Sequence, residues 1–236
     1  MLDWVGGSTE PEVHERRDGY IEVGAGPDLY LAPARSWPRA ERQAMGHAVG
    51  RVLDLGCGAG RVALHLQQLG LDVMGLDVSP LAVRAARRRG VRHVELGTAH
   101  SVLPQLAAFD TVVLLGNNSG IFGTPDALTQ GLRRWARHMR PGARVLAGST
   151  SPYGGSAPLL DGEWRRDNRR RGQMAGQLRL RVRYRKLVSP WFDWLFLSPA
   201  ELASLSSGTG WRCLRMLRGD DDEPFVAVLE REENPG

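Results

Sequence analysis

The sequence has little cysteine, almost no lysine and no long apolar run. Its 236 residues include two cysteines, Cys57 and Cys213, too few for a disulfide framework or a zinc cluster. No apolar stretch approaches the roughly 20 residues that a membrane-spanning helix needs. The opening MLDWVGGSTEPE has neither the basic nor the apolar region of a signal peptide. We therefore expect a cytoplasmic protein with free thiols, no membrane segment and no metal site.

Arginine carries almost all of the positive charge, since Lys186 is the only lysine. A formal net charge of +5 is compatible with nucleic-acid binding, but the distribution of the arginines weakens that interpretation. Two clusters end helical runs just before Gly90 and Pro141, where the helix dipole favours cations. We predict that both are helix ends on the surface. They comprise Arg84, Arg87, Arg88 and Arg89, and Arg133, Arg134, Arg137 and Arg140.

Apolar, strand-like runs alternate with helical patterns from position 51 to position 150. Ser79-Pro80 and Thr124-Pro125 are typical helix starts, with a capping residue before proline. The alternation predicts an α/β fold, a doubly wound Rossmann-like sheet of five parallel strands. The predicted strands are 51–56, 72–77, 91–97, 109–116 and 143–150, and the predicted helices are 60–69, 80–90 and 125–140.

The pattern changes after position 150. Residues 151–173 combine turn residues and arginines without a period, which predicts a mobile surface loop. The strict alternation of 178–188, followed by the aromatic run 191–197, predicts an inserted β-hairpin. Ser198-Pro199-Ala200-Glu201 is a capping box for another helix. The runs 211–218 and 224–231, joined by the acidic turn Gly219–Glu223, predict a terminal antiparallel pair.

We therefore expect a single domain over residues 1–236. Residues 1–48 form an N-terminal cap segment and 49–150 form the core that binds a ligand. Residues 151–197 are the insertion of loop and hairpin, and 198–236 supply the last helix and the antiparallel strands.

The stretch VLDLGCGAGR at 52–61 has glycines at alternate positions where a strand turns into a helix. Such a turn lets a ligand lie against bare backbone. Dinucleotide sites favour G-x-G-x-x-G, whereas Gly56, Gly58 and Gly60 are spaced G-x-G-x-G. Asp54 lies at the end of the first strand. Asp77 ends the second, about 20 residues after the loop, where an acidic residue accepts ribose hydroxyls in dinucleotide folds.

These residues resemble the class I S-adenosylmethionine-dependent methyltransferase family. The resemblance rests on DLGCGAG, on LDVSP after the second strand and on the order of the strands, and covers about Val49 to Arg231. It implies S-adenosylmethionine as the cofactor, with Asp77 on the ribose and Asp54 organising the methionine ammonium. The alternatives are a carboxylate that only braces the loop for Asp54, and a charge at a helix N-terminus for Asp77.

At the adenine and methionine ends of the implied site, the sequence follows the pattern of the family less closely. Family members commonly carry an acidic residue after the third strand, but this sequence has Thr98, which leaves adenine to the backbone of Thr98 and Ala99. Asn117 and Asn118 either line the methionine tail or only permit left-handed backbone. The implied cofactor-binding residues are Asp54, Gly56, Cys57, Gly58, Gly60, Asp77, Val78, Thr98, Ala99, Asn117 and Asn118.

The acceptor is predicted to be a small molecule. The loop after the fourth strand lacks the Asp/Asn-Pro-Pro-Tyr motif and the cysteine nucleophile found in methyltransferases of nucleic-acid bases, and within the family the sequence is most similar to small-molecule enzymes. Aromatic residues of the cap segment, of the loop after strand four and of the hairpin either line the acceptor pocket or belong to the core. The candidates are Tyr20, Tyr30, Trp37, Phe122, Trp191 and Trp194.

His100 is the candidate general base, because it follows the carboxyl end of the third strand and an imidazole changes charge near neutral pH. The alternative is a surface histidine. Two other functions stay open: a protein that binds S-adenosylmethionine without transfer, and an RNA methyltransferase that uses the arginine face of the hairpin. That face comprises Arg179, Arg181, Arg183 and Arg185 and is otherwise a solvated surface.

Overall fold

Strands and helices alternate along most of the computed structural model, which describes residues 1–155, 157–219 and 224–233. The strands are Val13–Arg16 (β1), Ile21–Val23 (β2), Arg51–Leu55 (β3), Asp72–Asp77 (β4), His93–Leu96 (β5), Thr111–Leu114 (β6), Arg144–Ser149 (β7), Gln177–Tyr184 (β8), Leu187–Val188 (β9), Phe192–Leu195 (β10), Trp211–Leu217 (β11) and Phe225–Arg231 (β12). The α-helices are Leu2–Val5 (α1), Pro27–Tyr30 (α2), Arg39–Met45 (α3), Arg61–Gln68 (α4), Pro80–Arg89 (α5), Pro125–His138 (α6), Gly162–Arg170 (α7) and Pro199–Ser206 (α8).

The main sheet has seven strands in the order β11-β12-β7-β6-β3-β4-β5. The five from β3 to β7 pair in parallel, and β12 pairs antiparallel with both β7 and β11. This confirms the predicted doubly wound sheet and its terminal antiparallel pair. Because the strand order reverses between β3 and β6, a crevice opens at the carboxyl ends of these strands.

Both faces of this sheet are covered by core side chains, as the nearly all-apolar strands require. On β3, Leu53 and Leu55 pack on the face that holds Phe109 and Trp135, whereas Val52 packs on the opposite face with Val62. The alternation follows from the two-residue period of a strand.

The predicted helix starts are confirmed by their capping hydrogen bonds. The hydroxyl of Ser79 accepts from the amide of Ala82, and that of Thr124 accepts from Ala127. Ser198 and Glu201 form the reciprocal capping box of α8. The last turn of α5 holds Arg87, Arg88 and Arg89, as predicted from the dipole.

The predicted hairpin belongs to a second antiparallel sheet, of order β10-β8-β1-β2, with β9 paired to β8. Strands β1 and β2 come from the cap segment, in which the sequence analysis assigned no strands. In the antiparallel pairing of β1 with β8, His14 lies opposite Val182 and Glu15 lies opposite Arg181, although these residues are far apart in the sequence. This second sheet lies over the carboxyl edge of the main sheet, where β10 packs on the short 3-10 helix Asn118–Phe122.

The prediction of a mobile loop over 151–173 was wrong. The segment contains a 3-10 turn, Pro158–Leu160, and helix α7, whose first amides are capped by the carboxylate of Asp161. Trp164 and Asn168 are buried, and the Asn168 amide donates to three backbone carbonyls, among them that of Gln177. Arginines fill the remaining face, so no apolar period marks the helix in the sequence.

The arginine face of β8 is neutralised by carboxylates. Arg181 and Arg183 both contact Glu15, whose pKa their hydrogen bonds lower to about 2. Arg179 pairs with Asp193, and Arg185 pairs with Asp3 and Glu10. The acidic turn predicted before β12 lies mostly outside the described residues. Over the described ranges, no helix has the length and apolarity to cross a membrane.

Candidate functional site

A cavity of about 710 Å³ opens at the carboxyl ends of β3, β4, β5 and β6, beneath the second sheet. Residues from all of these strand ends line it, together with Tyr30 from the cap segment and Trp194 from β10. Of the predicted cofactor-binding residues and His100, the cavity brings together Asp54, Gly56, Cys57, Gly58, Asp77, Val78, Thr98, Ala99, His100, Asn117 and Asn118.

The glycine loop has the left-handed backbone that its spacing predicts. Gly56, Gly58 and Gly60 have φ of 73°, 56° and 78°. A Cβ at Gly56 would lie 2.6 Å from the side-chain nitrogen Nδ2 of Asn118, so the loop takes this form only with glycine. Gly60 does not line the cavity. A Cβ there would lie 2.4 Å from Val91, so this glycine serves packing between α4 and α5.

Asp77 ends β4 with both carboxylate oxygens on backbone amides. Oδ2 accepts from Gly58 at 2.8 Å and Oδ1 accepts from Ser79 at 2.9 Å. Burial raises its pKa, and these backbone hydrogen bonds act in the opposite direction. The carboxylate therefore holds the glycine loop while it lines the cavity.

Asp54 is buried at the end of β3, 2% exposed, and its Oδ2 accepts from the Ala63 amide at 3.0 Å. Burial raises the pKa of Asp54 to about 7, and the charges of Asp77 and Glu41 act in the same direction. The hydrogen bond from Ala63 and the positive charge of Arg61 oppose this shift. Asp54 thus both braces the loop and lines the cavity.

The two asparagines after β6 connect the loops that form the cavity floor. Asn117 has a φ of 65° and its Oδ1 accepts from the Thr150 hydroxyl at 2.8 Å. Asn118 donates from Nδ2 to the carbonyls of Leu55 and Gly56, both at 2.9 Å. Both asparagines line the cavity, and the left-handed backbone of Asn117 does not prevent this.

Side-chain hydroxyls form hydrogen bonds within the loop after β5. The Thr98 hydroxyl accepts from the amides of His100 and Ser101. His100 is exposed at the rim of the cavity, and its role as a base stays a prediction. Val78, which directly follows β4, also lines the cavity, and 67% of its surface is exposed.

Arg61 and Glu41 are site residues that the sequence analysis missed. Arg61 directly follows the glycine loop, which was the available signal, whereas Glu41 lies in α3 with no motif around it. Nη2 of Arg61 donates to Oε2 of Glu41 at 2.8 Å, and Oε1 of Glu41 accepts from the amide of Gly116. Nη1 of Arg61 is buried and has no hydrogen-bond partner among the described residues.

The predicted acceptor-lining aromatics divide into two groups. Tyr30 and Trp194 line the cavity. Trp37 is buried beneath the Arg61 guanidinium, Phe122 packs on Trp135, Trp191 lies under Arg181, and Tyr20 lies under Arg16. These four do not line the cavity, since each is held by a neighbour elsewhere in the fold.

The Cys57 thiol is buried in the glycine loop. Its pKa is raised strongly by burial and by the charges of Asp54 and Asp77. A thiol that stays protonated fills space in the loop, as its position between two glycines indicates. Across the described part of the chain, no three histidine, cysteine or acidic side chains are arranged to hold a metal ion.

Residues 52–142 match the family model of the methyltransferase domain. The fold matches the crystal structure of a SAM-dependent methyltransferase from Bacteroides fragilis in complex with S-adenosyl-L-homocysteine. The TM-score is 0.78 at 23% identity, covering 98% of this chain and 92% of that chain. Residues 52–142 are thus similar to a methyltransferase domain, and the chain has the fold of a SAM-dependent methyltransferase.

Curated relatives of this methyltransferase core differ in what they act on. A malonyl-[acyl-carrier protein] O-methyltransferase of Salmonella typhimurium is 32% identical over 126 residues, which is 52% of this chain and 48% of that enzyme. A ubiquinone biosynthesis O-methyltransferase of Xanthomonas oryzae is 32% identical over 102 residues, 41% of each chain. The match thus spans about half the length of these relatives or less.

Proposed function

We propose that this chain binds S-adenosylmethionine and methylates a small-molecule acceptor. The observation that carries the proposal is the 710 Å³ cavity, which is lined by the buried carboxylate of Asp54, the half-buried carboxylate of Asp77, the glycine loop and Arg61. Nη1 of Arg61 has no hydrogen-bond partner among the described residues. The cofactor has an ammonium, a carboxylate, a ribose and an adenine, and the cavity offers a group of matching chemistry for each.

The assignments follow from charge and position. Asp77 is the acceptor for the ribose hydroxyls, and Asp54 is the counter-charge for the methionine ammonium. Nη1 of Arg61 is the donor for the methionine carboxylate, since a buried guanidinium nitrogen without a partner is costly. The exposed Val78 side chain offers an apolar surface to adenine, whose edge meets the backbone at Thr98.

S-adenosylmethionine supplies an activated methyl group on a sulfonium. The chain then has to orient the acceptor and keep water out. The second sheet does this from above the cavity with Phe192 and Trp194, whose rings stand edge to face at 6.0 Å. Aromatic rings also favour a nearby cation, by about 0.5–2 kcal/mol each.

A small acceptor is supported by how the cavity is covered. Nucleic-acid binding relies on free positive charge along an open surface. Here Arg181 and Arg183 of β8 are paired with Glu15 instead.

The test has two stages. Calorimetry with S-adenosylhomocysteine and with NAD should give binding of the first alone, and tight binding of NAD alone would overturn the cofactor assignment. Labelled S-adenosylmethionine is then incubated with pools of small phenols, amines and carboxylic acids, and with total RNA. Label transferred to a small molecule supports the proposal. Label in RNA supports an RNA methyltransferase, and cofactor binding without transfer to any pool supports a binding protein.

A further inference from the structure

A side cavity of about 300 Å³ adjoins the cofactor cavity. It lies between α1, the start of α5 and strands β1 and β8 of the second sheet. The two cavities share Met1, Tyr30 and Asp77 as a common wall. A molecule in the side cavity therefore lies next to the proposed ribose site.

The charged side chains that line the side cavity are mainly acidic. No lysine or arginine is among its described lining residues, whereas three carboxylates are. Two of these have partners, because Asp77 accepts from backbone amides and Asp3 pairs with Arg185 at 3.0 Å. The third is Glu12.

The Glu12 side chain is 6% exposed. Its Oε2 accepts from the amide of Gly26 at 3.2 Å, but its buried Oε1 has no hydrogen-bond partner among the described residues. Nε2 of His14 stands 3.6 Å from this oxygen, beyond hydrogen-bond distance. A buried carboxylate oxygen without a partner is costly, so the position favours a ligand that donates to it and carries positive charge.

The described residues that line the side cavity do not supply a fixed positive charge. Burial lowers the pKa of the Met1 α-ammonium, although Asp3 and Glu12 act in the opposite direction. Burial and the Glu12 carboxylate, with which the Tyr30 hydroxyl forms a hydrogen bond, raise the pKa of that hydroxyl, which stays neutral. His14 pairs with Glu12 only when it is protonated. Among these lining residues, the charge of Glu12 is thus left without a permanent counter-ion.

Three aromatic rings form one wall of the side cavity. Trp4 stacks on Tyr30 with centroids 5.5 Å apart, and meets Tyr184 edge to face at 6.0 Å. The guanidinium of Arg185 lies over the Tyr184 ring at 5.2 Å, so one face of the cluster already contacts a cation. Leu81 and Leu187 make the rest of the lining apolar. Aromatic faces beside a carboxylate are the usual surroundings of a bound ammonium group.

We propose that the side cavity holds a protonated amine of the methyl acceptor, with the ammonium on Glu12 and the rings of Trp4, Tyr30 and Tyr184 around its carbon substituents. The assignment of this ligand as the acceptor rests on the proposed function. A protonated amine has no lone pair, so this group anchors the acceptor and the methylated atom lies elsewhere in the molecule. The acceptor class is therefore a small, partly apolar molecule that carries a basic amine.

The test uses three probes of one shape, 2-phenylethylamine, 2-phenylethanol and phenylacetate, which are cationic, neutral and anionic at pH 7. Their binding is measured by calorimetry on protein saturated with S-adenosylhomocysteine, so that the cofactor cavity is filled. We expect the amine to bind at least tenfold more tightly than either of the other two. Equal binding of amine and alcohol would overturn the inference.

The Glu12→Gln variant keeps the shape of the side chain and removes its charge. We expect its affinity for phenylethylamine to fall at least tenfold while its affinity for S-adenosylhomocysteine is unchanged. Glu95→Gln, the same change at an exposed position of β5 outside the side cavity, is the matched control and should bind the amine like the wild type. An unchanged amine affinity in Glu12→Gln contradicts the inference. If Glu12→Gln does not fold, Tyr184→Leu tests the aromatic wall with the same expected loss of amine binding.

The outcomes separate this inference from the proposed function. If S-adenosylhomocysteine does not bind, the probes are applied without it, and amine binding that needs Glu12 then supports the side cavity while the proposed function fails. If methyl transfer occurs but phenylethylamine does not bind, the proposed function stands and the ammonium site is wrong.

Discussion

Arg61 and Glu41 form a buried ion pair, with Nη2 2.8 Å from Oε2, that joins the cap segment to the helix after the glycine loop. The second oxygen of Glu41 holds the amide of Gly116, at the end of β6. The ring of Trp37 covers the guanidinium at 4.5 Å. Among the described residues, Nη1 of Arg61 has no hydrogen-bond partner, and Arg61 lines the same cavity as the glycine loop and the loop after β6.

Arg61→Met is expected to weaken the binding of S-adenosylhomocysteine by about 10–150-fold, the range for hydrogen bonds to a charged group. The affinity for 5′-methylthioadenosine, which lacks the amino-acid part, should change less than about twofold, since a lost contact to the carboxylate affects only the larger ligand. Calorimetry measures both, with exposed Arg92→Met as the control. An equal loss for both ligands would mean that Arg61 only holds the cap segment in place.

Asp77→Ala should weaken both of these ligands together, by about 1–3 kcal/mol, because both carry the ribose. Asp72→Ala, at the exposed start of the same strand, is the control and should bind like the wild type. Unchanged affinity in Asp77→Ala would place the ribose elsewhere. Asp77→Asn retains an acceptor for the Gly58 amide and therefore separates disorder of the loop from loss of the ligand contact.

Asp54 predicts a pH dependence of cofactor binding. Burial raises the pKa of this carboxyl to about 7, so below that pH it must lose a proton before it can pair with the methionine ammonium. Affinity for S-adenosylhomocysteine should therefore rise from pH 6 to pH 8, by at most about tenfold per pH unit below the pKa. Titration calorimetry at several pH values measures this. Asp54→Asn should bind more weakly and with a flat profile, and a wild-type slope in that variant would exclude Asp54 as the source.

The same pKa fixes the sign of an effect on stability. The folded, unliganded chain holds the Asp54 proton more tightly than the unfolded chain does, because the pKa of this carboxyl is raised from 3.8 to about 7. The contribution of Asp54 to the free energy of unfolding should therefore fall as the pH rises from 4 to 7. Urea denaturation of the wild type and of Asp54→Asn measures the difference, and parallel curves over this range would contradict the raised pKa.

His100→Ala tests the predicted base. With an acceptor whose attacking atom carries a proton, we expect turnover to fall by about 10²–10⁴. The affinity for S-adenosylhomocysteine should barely change, because the backbone of the loop after β5 is untouched. His93→Ala, on an exposed position of β5, is the control. Wild-type turnover in His100→Ala would leave orientation of the acceptor as the whole contribution of the chain.

Replacing the arginines in and directly after α7 tests the prediction that the acceptor is not a nucleic acid. Replacing Arg165, Arg166, Arg169, Arg170 and Arg171 together with serine should leave S-adenosylhomocysteine binding unchanged. Filter binding of tRNA at 50 and 200 mM salt should give weak retention for both proteins. Tight wild-type binding with a steep salt dependence, lost in the variant, would contradict a small-molecule acceptor.

Local patterns were sufficient to predict the core of the fold and most of the residues that line the cavity at the strand ends. The strand runs, the caps at Ser79 and Thr124 and the glycine spacing each depend on residues a few positions apart, and the parallel order follows from their alternation. Asp54 and Asp77 are tied to the site by their places at strand ends. These features can therefore be predicted without knowledge of the tertiary contacts.

Helix α7 shows where local patterns are insufficient. Arg16 of β1 donates to the carbonyl of Leu159 and to the Asp161 carboxylate that caps the helix, so a residue far away in sequence holds its first turn. Without that contact, the segment 151–173 offers many polar residues and turn formers and a few apolar residues without a helical period, and this pattern favours a loop.

The sequence by itself determined the methyltransferase core, because each of its signals is short-range and repeated along the chain. Only the tertiary structure decided what covers that core. The pairing of β1 with β8, the ion pair of Glu41 with Arg61 and the burial of Glu12 all join segments that no spacing rule connects. They depend on which carboxylates and rings meet when the second sheet closes over the first. That is why the cavity residues at the strand ends could be predicted from the sequence and the residues that cover the cavity could not.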